Sequence, residues 1–469
     1  MSQLLQAKVL IVGGGPGGYV AAIRAGQLGL ETVLVEGSRP GGTCLVRGCI
    51  PSKALIHLAE YFHETATCHR EGRFGITLPQ APVLDLLEAM RWKSGIVDRL
   101  STGVTGLLKR AGVKVLSGWA RFEDAKNCDV ETDQGVVRVT AEHVVLATGS
   151  IPVALPCLPF GGKVISSTEA LSLEQVPERL AVIGAGYIGL ELGSAFAKLG
   201  SNVTVIEQQK QILPIYDAEL VEPLRRSLER QGVTLHLGTT AHGLEGNSGD
   251  ECLAITDAAG QKRNIDVDKV LVTIGRGPLT EGWGLENMAI KMKGPFIEVD
   301  DRCATSTKNV WAIGDLTGEP MLAHKASAQG EVVAEIIAGK RRRFDAFAIP
   351  AVCFTDPEIV SVGLRPDQVS DSIETIVQQF PFYANGRALT MGKGESGGFV
   401  RIVARKADHR ILGIQGVGPH LSELSAQFAT LLEMGAILED VAGIVHAHPT
   451  LSEVVSEAAK RALGHAVHI

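Results

Sequence analysis

The stretch KVLIVGGGPGGYVAAIRAGQLGLETVLVE, residues 8–36, reads as a β-branched strand, a Gly-rich turn, an amphipathic helix and a second strand ending on Glu36. Its glycines follow the spacing Gly13-x-Gly15-x-x-Gly18. The first permits a tight turn, the second lets backbone approach a pyrophosphate, and the third lets the helix pack on the sheet. The helix start then offers free N–H groups and the positive end of its dipole to phosphate oxygens. Glu36, 18 positions after Gly18, is placed to bind ribose hydroxyls. A βαβ unit of this kind predicts a Rossmann-like dinucleotide-binding domain.

The pattern returns in RLAVIGAGYIGLELGSAFAKLGSNVTVIE, residues 179–207, with Gly184, Gly186, Gly189 and, again 18 positions on, Glu207. Two such units beginning 171 residues apart predict two separate dinucleotide-binding domains. Glu207 would oppose a 2′-phosphate, and EQQK offers only Lys210 to offset it, so NAD is expected there rather than NADP. Two nicotinamides would have nothing to exchange through one fixed site, whereas FAD and NAD make a hydride relay.

The surroundings of these units set the domain plan. At 469 residues the chain exceeds one core, and about three domains are expected. EHVVLATGS (142–150) and NVWAIGDL (309–316) read as strands of the first unit, separated by the whole of the second. The Pro- and Gly-rich segment 151–162 reads as a linker, VLVTIGRGP (270–278) as the end of the second unit, and the basic run in GKRRRFDAFAIP (339–350) as a solvated boundary. The expected plan is 1–150 for FAD and a redox pair, 151–278 for NAD, 279–346 completing the FAD site, and 347–469 for packing or dimerisation. The fold class is α/β: two Rossmann-like domains plus a C-terminal α+β domain.

Composition narrows the class further. The chain is 45% hydrophobic and 21% charged, as soluble globular proteins are, and its 54 glycines exceed the average of about 7%. A net charge of −7 argues against nucleic acid or anionic membrane as a partner. The start, MSQLLQAKVLIVGGG, lacks a basic region before a long apolar run, and no apolar run approaches the roughly 20 residues of a membrane span, so the cytoplasm is expected.

Directly after the first unit comes GGTCLVRGCIPSK, residues 41–53. Of eight cysteines only Cys44 and Cys49 are close together, which disfavours a secreted disulfide framework and leaves a catalytic pair, a metal site or two unpaired thiols. Zinc wants about four ligands, and the nearby His57, His63, Cys68 and His69 fall in an expected helix without the usual spacings, so no metal is expected. Five residues of regular helix rise about 7.5 Å, beyond the usual limit of about 6.8 Å between bonded cysteines. The pair can join only where the segment is distorted, which Gly48 would permit; a strained bond is the more easily reduced. Because the pair follows the first unit, that unit should hold the flavin.

GGTCLVRGCIPSK, the two glycine fingerprints, ATGS, WAIGD and the terminal HAHPTLSE together resemble the class I pyridine nucleotide–disulfide oxidoreductases, in order and over essentially the whole chain. Within them the chain is most similar to the branch that oxidises dihydrolipoyl groups with NAD. The resemblance implies that Cys44 exchanges with the substrate dithiol and that Cys49 lies against the flavin. Lys53 stands near the flavin with Glu191 as its partner, and Asp315 bonds the flavin's sugar chain or ring. It also implies cofactor contacts at Thr148, Gly149, Gly275 and Ala323. His448 is the base, oriented by Glu453, while His446 reads as a packing residue. In the family that base reaches the disulfide of the other subunit, so a homodimer is implied, with a lipoyl-bearing acyltransferase or a glycine-cleavage carrier protein as partner. One position departs: Val46 stands where the family usually has Asn, followed by Arg47, which would favour a thiolate if it faced inward. Against the rival readings, an NADP-linked glutathione-type reductase would carry basic residues after the second unit, a mercuric reductase a C-terminal cysteine pair, and a soluble transhydrogenase no paired cysteines.

Overall fold

The computed structural model describes residues 3–246, 251–394 and 397–469; Met1 and Ser2 of the N-terminal segment read above for a signal lie outside them. The strand Gln3–Val12 runs parallel to Thr32–Glu36 on one side, with Ile11 opposite Leu34, and to Gly135–Leu146 on the other, with Val12 opposite Leu146. Lys114–Ser117 extends the sheet past Thr32–Glu36, and Val310–Ala312 returns from far downstream to pair in parallel with Gly135–Leu146. Ile11, Leu34 and Val145 are essentially unexposed. Such near-continuous apolar strands belong to a parallel sheet covered on both faces, and each fully buried aliphatic side chain contributes about 1.5–3 kcal/mol. The antiparallel strands Trp119–Phe122 and Asn127–Thr132 close the far edge.

A second, fully parallel sheet is ordered Thr234–Leu237, Asn202–Glu207, Arg179–Ile183, Lys269–Val272, Val164–Ile165. An antiparallel three-stranded ribbon, Thr240–Glu245, Cys252–Thr256 and Lys262–Asp266, is inserted ahead of Lys269–Val272. The chain passes between the two sheets twice, through Ser150–Pro152 and Arg276–Pro278, and these two segments pair with each other. The third sheet is antiparallel, in the order Ala351–Cys353, Glu358–Gly363, Ile411–Gly418, Phe399–Arg405, Thr375–Pro381, and its strand Ile411–Gly418 is buried throughout. The helices Ser425–Glu433 and Glu453–Ala462 pack on it through Phe428, Leu432, Val454, Val455 and Ala458.

The basic run is exposed but tied down: Lys340 and Arg342 meet Glu335, and Arg343 meets Asp301. Among the described residues no helix is long and apolar enough to cross a membrane.

Candidate functional site

The carboxyl ends of Gln3–Val12, Thr32–Glu36, Gly135–Leu146 and Val310–Ala312 open on one cavity of about 450 Å³, lined by Val12, Glu36, Ala147 and Ile313. Ligands of open α/β sheets bind at that end of the strands. The glycines divide into two jobs. Gly13 has φ +102°, and a Cβ on it would lie 2.2 Å from the Ala147 carbonyl; a Cβ on Gly18 would lie 1.8 Å from the Gly13 carbonyl. Those two let strand, turn and helix touch. Gly15, the N-cap of Pro16–Gln27, has open space where its Cβ would stand, so backbone faces the cavity bare at a helix N-terminus. The second unit repeats the division: a Cβ on Gly189 would lie 2.3 Å from the Gly184 carbonyl, whereas Gly186, N-cap of Tyr187–Lys198, faces open space.

The two acidic residues are also held alike. Glu36 takes the Gly14 N–H on Oε2 at 2.7 Å and the Ser38 N–H on Oε1 at 2.8 Å. Glu207 takes the Ala185 and Gln209 N–H groups, each at 2.7 Å. A carboxylate has about four lone-pair sites, so each retains acceptors for ribose hydroxyls. Bare glycine cradles beside preoriented carboxylates fit two dinucleotides.

Both cysteines lie on this cavity. The helix Gly42–Arg47 ends at Gly48 and a new helix, Cys49–Arg70, begins immediately, so the regular rise that would hold the two sulfurs apart is broken between them. Only glycine suits the break, because a Cβ on Gly48 would lie 2.8 Å from the Thr43 carbonyl. The two thiols act directly on each other's acidity. Cys44, aided by the Lys53 ammonium and opposed by burial and by Glu191, brings Cys49 down to about 7. Cys49, together with burial, drives Cys44 up. Cys49 is therefore the more acidic member of the reduced pair.

Lys53, one helical turn beyond Cys49, lines the cavity and meets Glu191 Oε2 at 2.7 Å. Asp315 lines it too and accepts the Ser150 hydroxyl at 2.5 Å, while Arg276 donates to Ser150 Oγ at 2.8 Å and to its carbonyl at 2.6 Å. Thr148, Gly149 and Ala323, the first residue of Ala323–Ile337, complete that wall. Gly18, Gly184, Gly186, Gly189, Glu207 and Gly275 are not among the lining residues; Gly275 has φ +139° and sits at the crossing of the two linker segments, its carbonyl accepting the Val153 N–H at 3.1 Å.

His448 is not on this wall either. Its ring Nδ1 bonds Glu453 Oε1 at 2.9 Å, while Glu453 Oε2 takes the Thr450 N–H at 2.8 Å. Burial works to raise the Glu453 carboxyl, but the Thr450 N–H and the histidine hold it below the usual range. With Nδ1 engaged, Nε2 is the free ring nitrogen, on a side chain 78% exposed. His446 bonds the Ile444 carbonyl and the Gln427 side chain. His57, His63, Cys68 and His69 lie along Cys49–Arg70, and among the described residues no group of three or more His, Cys, Asp or Glu could hold a metal.

Several lining residues escaped the sequence reading: Ser150, Arg276, Tyr187 and Trp119. Tyr187 follows Gly186 directly and Arg276 follows Gly275, so adjacency to a glycine turn was the available signal. Arg47 is exposed at the cavity rim.

Comparison with known proteins gives the family. The pyridine nucleotide-disulphide oxidoreductase family model matches residues 7–330, and its dimerisation-domain model matches 349–459. A dihydrolipoyl dehydrogenase of Pseudomonas aeruginosa is 57% identical over all of both chains, and one of Geobacillus stearothermophilus is 43% identical over 99% of this chain and 98% of its own. Among solved structures, LpdA of Mycobacterium tuberculosis superposes with TM-score 0.87 at 26% identity, covering 97% of this chain and 99% of that one. The HOCl-induced flavoprotein disulfide reductase RclA of Escherichia coli superposes with TM-score 0.86 at 25% identity, covering 98% and 100%.

Proposed function

The chain belongs to the pyridine nucleotide-disulphide oxidoreductases, and on that footing we propose that it oxidises a protein-bound dihydrolipoyl group with NAD⁺ across its Cys44–Cys49 couple. The reaction is that of a dihydrolipoyl dehydrogenase: dithiol and NAD⁺ become cyclic disulfide, NADH and a proton. The observation that carries it is the cysteine pair, placed on a dinucleotide cavity with Cys49 the more acidic member.

A substrate thiol, with an ordinary pKa near about 8.5, is mostly protonated at neutral pH and needs a base. His448 takes that proton on Nε2, and Glu453 fixes the tautomer and stabilises the imidazolium. The substrate thiolate attacks the Cys44 sulfur of the oxidised pair; the Cys44–Cys49 bond breaks, a substrate–Cys44 bond forms, and Cys49 leaves as a thiolate. Its pKa of about 7 makes it the better leaving group of the two. The second substrate thiol then gives up its proton and closes the lipoyl ring, the substrate–Cys44 bond breaks, and Cys44 takes up a proton to end as the thiol of the reduced pair. Gly13 to Glu36, Lys53 and Asp315 would hold FAD and Gly184 to Glu207 would hold NAD, which when bound would supply an acceptor for the electron pair and its release as hydride.

The dimerisation domain makes the chain a homodimer. His448, exposed and off its own cavity wall, serves the cysteine pair of the partner subunit. The natural dithiol is carried on a lipoyl-bearing acyltransferase of a 2-oxo acid dehydrogenase complex or on a glycine-cleavage carrier protein. Eight cysteines of which only Cys44 and Cys49 are close together suit a reducing compartment, the cytoplasm. Purified holoenzyme given free dihydrolipoamide and NAD⁺ should form NADH, and Cys44→Ser or Cys49→Ser should abolish this. Full turnover by either serine variant would overturn the reading.

A further inference from the structure

The redox helix and the helix that opens on the second fingerprint are tied together twice. Lys53 meets Glu191, and seven residues further along both helices Glu60 meets Lys198. The polarity is reversed between the two pairs, so displacing either helix by two turns would set Lys53 against Lys198 or Glu60 against Glu191. Glu191 and Lys198 have side chains only 4% and 6% exposed, which makes the register costly to lose.

A third segment, from the C-terminal unit, clasps both pairs. The Phe354 N–H donates to Glu191 Oε1 at 2.9 Å, on the oxygen that Lys53 does not use. The Phe354 ring lies beneath the Lys53 ammonium, 4.3 Å from centroid to Nζ, within cation–π range. Two residues on, Asp356 Oδ2 meets Lys198 at 3.0 Å and Lys393 at 3.3 Å. Phe354 is half-buried and does not line the cavity, so it can act there only through Lys53 and Glu191.

We propose that Phe354 is a positioning residue for the thiol chemistry: its amide and ring seat the Glu191–Lys53 couple so that the ammonium stays one helical turn from Cys49, over the dinucleotide cavity. The inference rests on the dithiol–disulfide reading above and deepens it, because it gives the C-terminal unit a second route to the site, within the same subunit and separate from His448. Cys44, Lys53, Glu191, Tyr187 and Arg276 are the titratable groups that face Cys49. Lys53 alone among the groups that lower Cys49 through charge is one that Phe354 touches.

The test is the pH profile of Cys49 alkylation in the reduced holoenzyme, read by mass spectrometry of the Cys49 peptide over pH about 5 to 9. Phe354→Leu removes the ring and keeps the amide; it should raise the Cys49 midpoint by about half a unit, a roughly threefold change in acidity. Phe354→Tyr keeps the ring and should restore the original midpoint. In a Lys53→Met background, Phe354→Leu should add nothing. An unmoved midpoint in folded Phe354→Leu, or an equal shift when Lys53 is already gone, overturns the proposal. Should the Leu variant lose its fold or its FAD, Phe354→Met keeps the volume without the ring and is read by the same two outcomes. The measurement needs no lipoyl substrate, so failure of dihydrolipoamide turnover would sink the proposed reaction while leaving this result to stand or fall alone.

Discussion

Replacing Cys44 with alanine should move the acidity of Cys49 in a direction and by an amount that the geometry dictates. The Cys44 thiol is the largest single influence holding Cys49 at about 7. Without it, burial and Glu191 remain to oppose Lys53, and Cys49 should return to the ordinary thiol range near about 8.5, a rise of about 1.5 units. At pH 7 the thiolate fraction then drops from about a half to about 3%. Rates shift less than populations, because a more basic thiolate attacks a disulfide faster, with a Brønsted slope of about 0.4–0.5. The combination predicts reaction with a small aromatic disulfide about threefold slower at pH 7, about fivefold faster on the alkaline plateau, and curves that cross near pH 8. The assay is stopped-flow reaction of the reduced protein across pH, with the modified cysteine identified by mass spectrometry, since Cys157 is also exposed. Curves that stay parallel, or a midpoint still near 7, would show that the thiolate owes nothing to its neighbour and would remove the basis for naming Cys49 the leaving sulfur.

Other consequences can be checked directly. Glu453→Gln should cut kcat for dihydrolipoamide oxidation about 10–100-fold through loss of His448 orientation, while NADH oxidation by an artificial one-electron acceptor, which needs no base, stays intact. Gly186→Ala, whose Cβ would meet nothing within 4 Å, should leave unfolding stability within about 1 kcal/mol yet raise the Kd for NAD at least about tenfold. Gly189→Ala, at 2.3 Å from the Gly184 carbonyl, should instead lose about 3 kcal/mol or more, seen in denaturant melts. Burial pushes both Glu60 and Asp356 up, but Lys198 and Lys393 more than offset it and hold both carboxyls low. Their contribution is therefore present above the ordinary carboxylate pKa of about 4 and is lost as pH falls through the lowered folded values. Asp356→Asn should cost about 1–2 kcal/mol at neutral pH, given its partial exposure and the Glu60 contact that remains, and should flatten the acid limb of a melting-temperature profile.

The parts of the molecule legible in advance are those where backbone chemistry leaves few choices. A Gly-x-Gly-x-x-Gly turn between a β-branched strand and a helix admits one reading, and both copies stand in parallel sheets with their carboxylates bonded to the turn. The break at Gly48 followed from asking how two cysteines five apart could meet. What escaped depends on contacts between distant segments. Phe354 and Asp356 sit in AVCFTDPE, where neither periodicity nor spacing marks them, and they matter only because that strand end packs against two helices. Arg276 reads as turn punctuation until Ser150 and Asp315 are beside it. The basic run 340–343 reads as solvated, and it is, but its charges find Glu335 and Asp301, which no local pattern announces.

A histidine that stands off the cavity wall holding its own sulfurs changes how defects combine. Chains carrying Cys49→Ser and chains carrying His448→Ala would each be dead alone. Refolded together in equal amounts, about half the pairs would be mixed, and in each mixed pair one of the two centres would inherit an intact thiol couple and an intact imidazole. Two inert preparations would thus yield about a quarter of the normal rate, a recovery that chains catalysing singly could never show.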